Sequence, residues 1–131
     1  MKRLLLSAFA LLIVFNLSAQ NKVFCEIIEQ HQLNKKVKII IDFGQERKKS
    51  VNQQTLVDES GNTIQFNSKI DALNYMTTLG WEFVQAYTVM TGSNGDVKSE
   101  IHWILSKKVA ENQNAYEGIT TKEGYNKSQN K

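Results

Sequence analysis

Residues 68–108 constrain the fold more than any other stretch, because a helix signal there is followed directly by two strand patterns. Ser68 and Asp71 form a capping-box-like pair, and Gly80 stands where a left-handed helix end is favoured. Four apolar side chains between them share one face at helical spacing: Ala72, Leu73, Met76 and Leu79. A helix of about three turns is unstable alone in water, so this face must pack on another element.

Two strands joined by a turn are predicted to supply that surface. Residues 81–90 and 100–108 are rich in aromatic and β-branched side chains, and the segment between them is polar and contains Gly92 and Gly95. We predict a register with Gln85 opposite Trp103, because it gathers the large apolar side chains on one face. That face would carry Trp81, Phe83, Tyr87, Val89, Ile101, Trp103 and Leu105. The opposite, mixed face is the candidate interaction face, with Glu82, Val84, Glu100 and His102.

The region before the helix also indicates strands. Apolar and polar residues alternate over 37–43, and residues 55–57 and 63–66 flank a turn composition at 58–62, which predicts a short hairpin. The expected fold class is α+β, one short helix packed on a small antiparallel sheet of about four to six strands. Residues 20–108 would form this single domain. Residues 109–131 hold few large aliphatic side chains, so we predict a polar tail that is disordered, or that becomes ordered only on contact with a partner.

Residues 1–19 have the composition of a secretory signal peptide. Lys2 and Arg3 precede a nearly unbroken apolar run over 4–17, and Ala19 is a small residue at the expected cleavage position. The alternative is a membrane anchor, but the run is shorter than the roughly 20 residues that cross a bilayer. We therefore expect an exported bacterial protein of the periplasm, cell surface or medium, with no transmembrane segment once the signal peptide is removed.

Export would leave 112 of the 131 residues and lower the formal net charge from +3 to +1, because Lys2 and Arg3 are removed. One small domain fits that length. A charge so close to zero gives no argument for nucleic acid as a partner. Cys25 is the only cysteine, so no internal disulfide can form. Its place in an apolar strand pattern favours a buried core residue, and a thiol that links two chains is the alternative.

The sequence predicts no catalytic residues, no cofactor and no metal site. His31 and His102 have no metal ligand at a recognised spacing. A site assembled through space from His102, Glu100 and Glu82 is a weaker alternative to an ordinary polar face. Arg47, Lys48 and Lys49 form a possible basic patch, suited to anionic glycans or lipid head groups, although charged loops are usually only solvated.

The segment Gly80-Trp81-Glu82-Phe83-Val84, with Ala72-Leu73-Asn74 before it and a strand ending in Leu105-Ser106-Lys107-Lys108, resembles a known family. This is the small bacterial domain-of-unknown-function family numbered 4177, and exported bacterial hypothetical proteins with a Gly-Trp-Glu-Phe-Val segment are also similar. The likeness covers about forty residues. It implies a helix on an antiparallel sheet, and it implies no activity and no functional residues.

Two classes of function remain after these exclusions. The first is a non-enzymatic binding or interaction module of the cell envelope, whose partner would be another envelope protein or a glycan. The second is a small ligand carrier or enzyme with a pocket between helix and sheet, lined by Met76, Trp81, Tyr87 and Trp103. A self-associating module, in which an exposed hairpin edge pairs with a second copy, is a further alternative and would make the protein a homo-oligomer.

Overall fold

A computed structural model describes residues 20–46, 50–92 and 95–131. Four strands form one antiparallel sheet in the order β2-β1-β4-β3, which confirms the predicted α+β class. The strands are β1 (Gln20–His31), β2 (Val37–Asp42), β3 (Glu82–Thr91) and β4 (Lys98–Ala110). The helices are a 3₁₀ turn (Val51–Gln54), α1 (Lys69–Thr78) and α2 (Lys122–Gln129).

Three sequence predictions lie outside the described residues: the signal peptide at 1–19, the basic patch at 47–49, and positions 93 and 94 of the hairpin turn. Within the described residues, no helix has both the length and the apolar character that a membrane crossing requires.

The predicted helix is confirmed, together with both of its end signals. The Ser68 side chain caps α1 by accepting a hydrogen bond from the Asp71 amide at 3.2 Å. The Asp71 carboxylate reaches back to the Asn67 amide at 2.8 Å. Gly80 ends the helical stretch with a φ of +85°, a conformation that side chains disfavour. Ala72 and Met76 are buried against the sheet, as the apolar spacing predicts.

The core lies between α1 and the sheet face toward it. On the face of β2 toward α1 the predicted pattern is confirmed, since Val37, Ile39 and Ile41 are buried, whereas Ile40, on the opposite face, is buried too and breaks the alternation. β1 contributes Cys25 and Ile27 from the neighbouring strand. Burial raises the pKa of the Cys25 thiol to about 12, which keeps it protonated and unreactive. The favoured prediction of a buried Cys25 is therefore confirmed.

The outer edge of β2 is covered by the hairpin predicted around residues 58–62. The amides of Val37 and Phe66 donate to each other's carbonyls at 2.8 and 2.7 Å. The Leu56 amide donates to the Ile39 carbonyl at 3.0 Å, and Ile40 bridges Thr55. These bonds occupy main-chain groups that an edge strand would otherwise present to solvent.

The β3–β4 register follows the prediction only at one end. Phe83 lies opposite Leu105, as expected, but Gln85 lies opposite Ile104, not opposite Trp103. A bulge between Phe83 and Gln85 inserts one extra residue into β3. Beyond the bulge every side chain changes face relative to the prediction, so the expected placement of Tyr87 beside Trp103 is wrong.

The structure also differs from the sequence analysis after residue 108, where a disordered tail was the expectation. β4 continues to Ala110, and a turn then brings the Tyr116 ring against two core aromatics. Its centroid lies 4.6 Å from that of Phe43 and 6.0 Å from that of Trp81, with both pairs stacked. The domain predicted to end at residue 108 therefore has part of its core covered by residues 109–131.

Polar contacts hold the rest of this segment in place, which explains why a search for aliphatic residues overlooks it. The Val57 amide donates to the Thr120 carbonyl, and the Lys122 amide donates to the Thr55 carbonyl, both at 2.9 Å. Buried Glu123 accepts a hydrogen bond from the Gln54 side chain at 2.8 Å. The segment that includes α2 thus docks through these hydrogen bonds and the two ring contacts of Tyr116, without a continuous apolar face.

Replacing Tyr116 by alanine should lower the free energy of unfolding by about 2–4 kcal/mol, because Phe43 and Trp81 lose their stacked cover. Urea denaturation followed by tryptophan fluorescence measures this. Phe24→Ala is the matched control, since Phe24 is an exposed aromatic and its removal should cost less than about 1 kcal/mol. Equal effects of the two variants would show that the segment after residue 110 does not pack.

Asp58 makes the stability of the 58–62 turn depend on pH. Hydrogen bonds from the Asn62 backbone, then from the Asn62 side chain and the Ser60 and Gly61 backbone, lower the pKa of this carboxyl despite a smaller opposing desolvation. A lowered pKa contributes stability that is complete above the ordinary carboxyl value of 3.8 and is lost as pH falls through the lowered one.

We therefore expect Asp58→Asn to be less stable than wild type at neutral pH, with the difference shrinking as the solution is made strongly acidic. Urea midpoints measured across that range test this. A difference that stays constant with pH would show that the Asp58 charge contributes nothing to the turn.

Candidate functional site

Four polar side chains meet on the sheet face opposite α1, which we call the open face. Because of the bulge in β3, Tyr87 lies opposite His102 of β4. β1 lies on the other side of β4 and brings Glu26 to the same face, beside both residues. The rings of Tyr87 and His102 are 5.1 Å apart between centroids, and Glu100 is two residues from His102 on β4. We call Glu26, Tyr87, Glu100 and His102 the open-face cluster.

One carboxylate oxygen is the centre of the open-face cluster. Glu26 Oε1 accepts a short hydrogen bond from the Tyr87 hydroxyl and a second, of 2.9 Å, from His102 Nδ1. Because both partners donate to this oxygen, the Nδ1 atom of His102 carries the hydrogen. His102 Nε2 lies 3.8 Å from a Glu100 carboxylate oxygen, beyond hydrogen-bond distance. The ring of His102 is therefore fixed on one side and only loosely paired on the other.

The hydrogen bond to Glu26 raises the pKa of Tyr87, and desolvation of the phenol and the negative charge of Glu26 raise it further. A raised pKa keeps the phenol protonated, so Tyr87 is a hydrogen-bond donor and not an activated nucleophile or base.

The structure brings together only part of the predicted interaction face. Glu100 and His102 are neighbours, whereas Glu82 lies opposite Ser106, four residues further along β4. Val84 occupies the bulge. The through-space site of His102, Glu100 and Glu82 is thus not assembled. Within the described ranges, no three His, Cys, Asp or Glu residues are grouped so that they could hold a metal ion.

Sequence reasoning missed Glu26 and Tyr87 as members of the cluster. Glu26 precedes His102 by 76 residues, and the sequence does not reveal that β1 and β4 are neighbours. Tyr87 was assigned to the apolar face because the bulge is not marked by Gly or Pro. The alternation of Cys25 and Ile27 around Glu26 was the one available signal, since it places Glu26 on the face opposite the core.

β3 forms the free edge of the sheet. Among the described residues, its main chain is paired with β4 and with no other segment. Nine of its ten side chains are exposed, and the tenth, Val89, is half-buried. The exposed set includes large apolar residues on both faces, namely Phe83, Val84, Tyr87 and Met90. Within residues 20–46, 50–92 and 95–131, nothing pairs with this long and largely apolar edge.

The predicted pocket between helix and sheet is not assembled. Met76 and Trp81 are fully buried in the core, while Tyr87 lies on the open face. The cavity lined by Ala72 and Trp103 measures about 10 Å³, which is barely the space of one water molecule. Trp103 is covered from the side by Phe83, whose ring meets it edge to face at 5.6 Å.

Comparison with family models, with curated proteins and with solved structures finds no match to this chain. The resemblance to the family numbered 4177 stays a prediction, and the function has to be argued from the geometry of the open face and of the β3 edge.

Replacing Glu26 by glutamine should let Tyr87 ionise at lower pH than in wild type, because the negative charge that favours the protonated phenol is removed. Phenolate absorbance measures the titration, and subtracting the Tyr87→Phe variant of each protein isolates Tyr87 from the other tyrosines.

The hydrogen bond between the Tyr87 hydroxyl and the Glu26 carboxylate should stabilise the fold below the ordinary tyrosine pKa of 10.0. That contribution should disappear as pH rises through the raised pKa of Tyr87. If Tyr87 titrated at the same pH in wild type and in Glu26→Gln, the hydrogen bond between Tyr87 and Glu26 would be refuted.

Proposed function

We propose that this protein is an exported, non-enzymatic interaction module of the bacterial cell envelope, which binds its protein partner through the free edge of β3. The observation that carries the proposal is the exposure of this edge, ten residues long and lined by large apolar side chains. An extended strand added to such an edge gains main-chain hydrogen bonds, while its side chains contact both faces of the sheet.

The contrast between the two edges of the sheet supports this assignment. The β2 edge is occupied by residues 55–57 and by Phe66, as described above. Proteins usually protect a free edge with lysine, proline, a short strand or a covering segment. β3 contains neither lysine nor proline, and Glu82, before the bulge, is its only charged residue. Because the β2 edge is covered and the apolar β3 edge is not, β3 is the edge suited to the addition of a strand.

The open-face cluster lies directly beside this edge and adds polar recognition to it. Tyr87 belongs to β3 itself, and its side chain is 42% exposed although its hydroxyl is bonded to Glu26. An added strand would pass within contact distance of Tyr87, because neighbouring strands lie about 4.8 Å apart. The cluster holds this aromatic ring in one position, which lowers the entropy that binding would otherwise cost.

Export is the sequence-based part of the proposal and rests on the signal-peptide pattern of residues 1–19. A location in the envelope suits this edge, because the exported chain would fold there and then bind a partner that is held in the same compartment. A glycan is a less suitable ligand for β3, since the main-chain groups along an edge match another peptide strand.

A lysine at the middle of β3 should abolish partner binding without unfolding the domain. Thr88 is exposed on the edge, so Thr88→Lys adds a charge where an incoming strand would lie. Immobilised wild-type chain should capture specific proteins from an envelope extract, and Thr88→Lys should lose them. Amide exchange in β3 should slow in the wild-type complex.

Thr77→Lys provides the matched control, because it makes the same substitution at an exposed position of α1 away from the edge. It should bind like wild type. Identical capture by the two lysine variants, or unchanged exchange in β3, would refute the edge as the binding surface.

A further inference from the structure

We infer that the strand which pairs with β3 is β3 of a second copy, in an antiparallel register centred on Thr88. Two four-stranded sheets would then join into one continuous sheet of eight strands. This inference rests on the proposed function, because it requires the β3 edge to be a binding surface, and it names the partner.

The bulge and the hairpin turn limit the part of β3 that can pair. Regular strand runs from Gln85, after the bulge, to Thr91, the last residue paired with β4. Two identical edges that pair antiparallel are related by a two-fold axis perpendicular to the sheet. Directly opposed side chains point to the same face, so one residue must lie opposite its own copy. Thr88 is the middle of the seven residues, and a register centred there uses all of them.

The pairs that this register creates are complementary in size and character. On the open face, Tyr87 of each copy lies opposite Val89 of the other, an aromatic and β-branched pair of the kind that stabilises sheets. On the face toward α1, the small Ala86 lies opposite Met90, which is 74% exposed in the single chain. Tyr87 and Met90, both exposed in the single chain, would therefore each lie against a smaller side chain of the second copy.

Charge does not oppose the contact between the two copies of β3. Residues 85–91 are Gln-Ala-Tyr-Thr-Val-Met-Thr, and none of them carries a charge. Glu82, before the bulge, is the only charged residue of β3, and the charged residues of β4 that lie opposite this stretch, Lys98 and Glu100, are one strand away from the edge. Like charges are therefore never directly opposed along the shared edge, and about six to eight main-chain hydrogen bonds can form across it.

The covered β2 edge makes the assembly a closed dimer. In the part of the chain that the structure describes, each copy has one free sheet edge, and pairing two copies uses both of these edges. No further strand can be added in the same manner, so the contact does not propagate into a fibre. Pairing with a second copy thus covers the β3 edge of both chains. A single strand of another protein would cover β3 but would leave the outer edge of that strand unpaired.

Sedimentation of the purified protein over a range of concentrations tests the inference. Wild type should shift from monomer to dimer as concentration rises, without larger species. Thr88→Lys places two lysines directly opposite each other and should raise the dimer dissociation constant by about tenfold or more. Thr77→Lys should dimerise like wild type. Circular dichroism and thermal melting show whether each variant is folded.

A mixture of Thr88→Lys and Thr88→Glu tests the register itself. Each variant alone should be largely monomeric because of its like charges, and the mixture should recover a dimer, since lysine then faces glutamate. Failure of the folded mixture to recover the dimer would overturn the register centred on Thr88.

A wild-type chain that remains monomeric at every concentration would overturn the dimer. The proposed function would still hold if Thr88→Lys alone lost partners from envelope extract. Both the proposed function and the dimer would be refuted if Thr88→Lys changed neither the capture of partners nor self-association.

Discussion

The pairing of β1 with β4 is the contact on which the rest of the structure depends. It runs from Gln20 opposite Ala110 to Ile28 opposite His102, and it places β4 in the interior of the sheet. On one face it sets Cys25 beside Leu105 and Ile27 beside Trp103, which gives α1 a wide apolar surface to cover. On the other it sets Glu26 within hydrogen-bond distance of His102. Core and cluster are two sides of the same strand pair.

The bulge in β3 separates two parts of the strand that have different roles. Before it, Phe83 faces Leu105 and covers the edge of Trp103. After it, the faces exchange, and Tyr87 reaches the polar side of the sheet. A regular strand would have directed Tyr87 toward Trp103 and left Glu26 without its hydroxyl donor. One inserted residue is therefore sufficient to explain why an apolar-looking strand contributes to a polar cluster.

Local signals in the sequence were enough for the helix, for β2 and for the covering hairpin. Capping at Ser68, the left-handed Gly80 and the alternation along β2 depend on residues close together in the chain. The neighbour relation of β1 and β4 could not be predicted, because strand order depends on contacts between residues about eighty positions apart. The docking of Tyr116 was missed for a related reason, since a few aromatic and hydrogen-bonded contacts leave no periodic pattern.

The distance in sequence between the two central strands also determines when the domain can form. β1 can pair early with β2, and β3 with β4, because a short turn joins the strands of each pair, but the two pairs join only when β1 meets residues 102–110 of β4. Contacts of such separation fold slowly, because a long loop must close before any of them is gained. The complete four-stranded sheet, and with it both the core and the open-face cluster, can therefore form only after residues near both ends of the chain have been made.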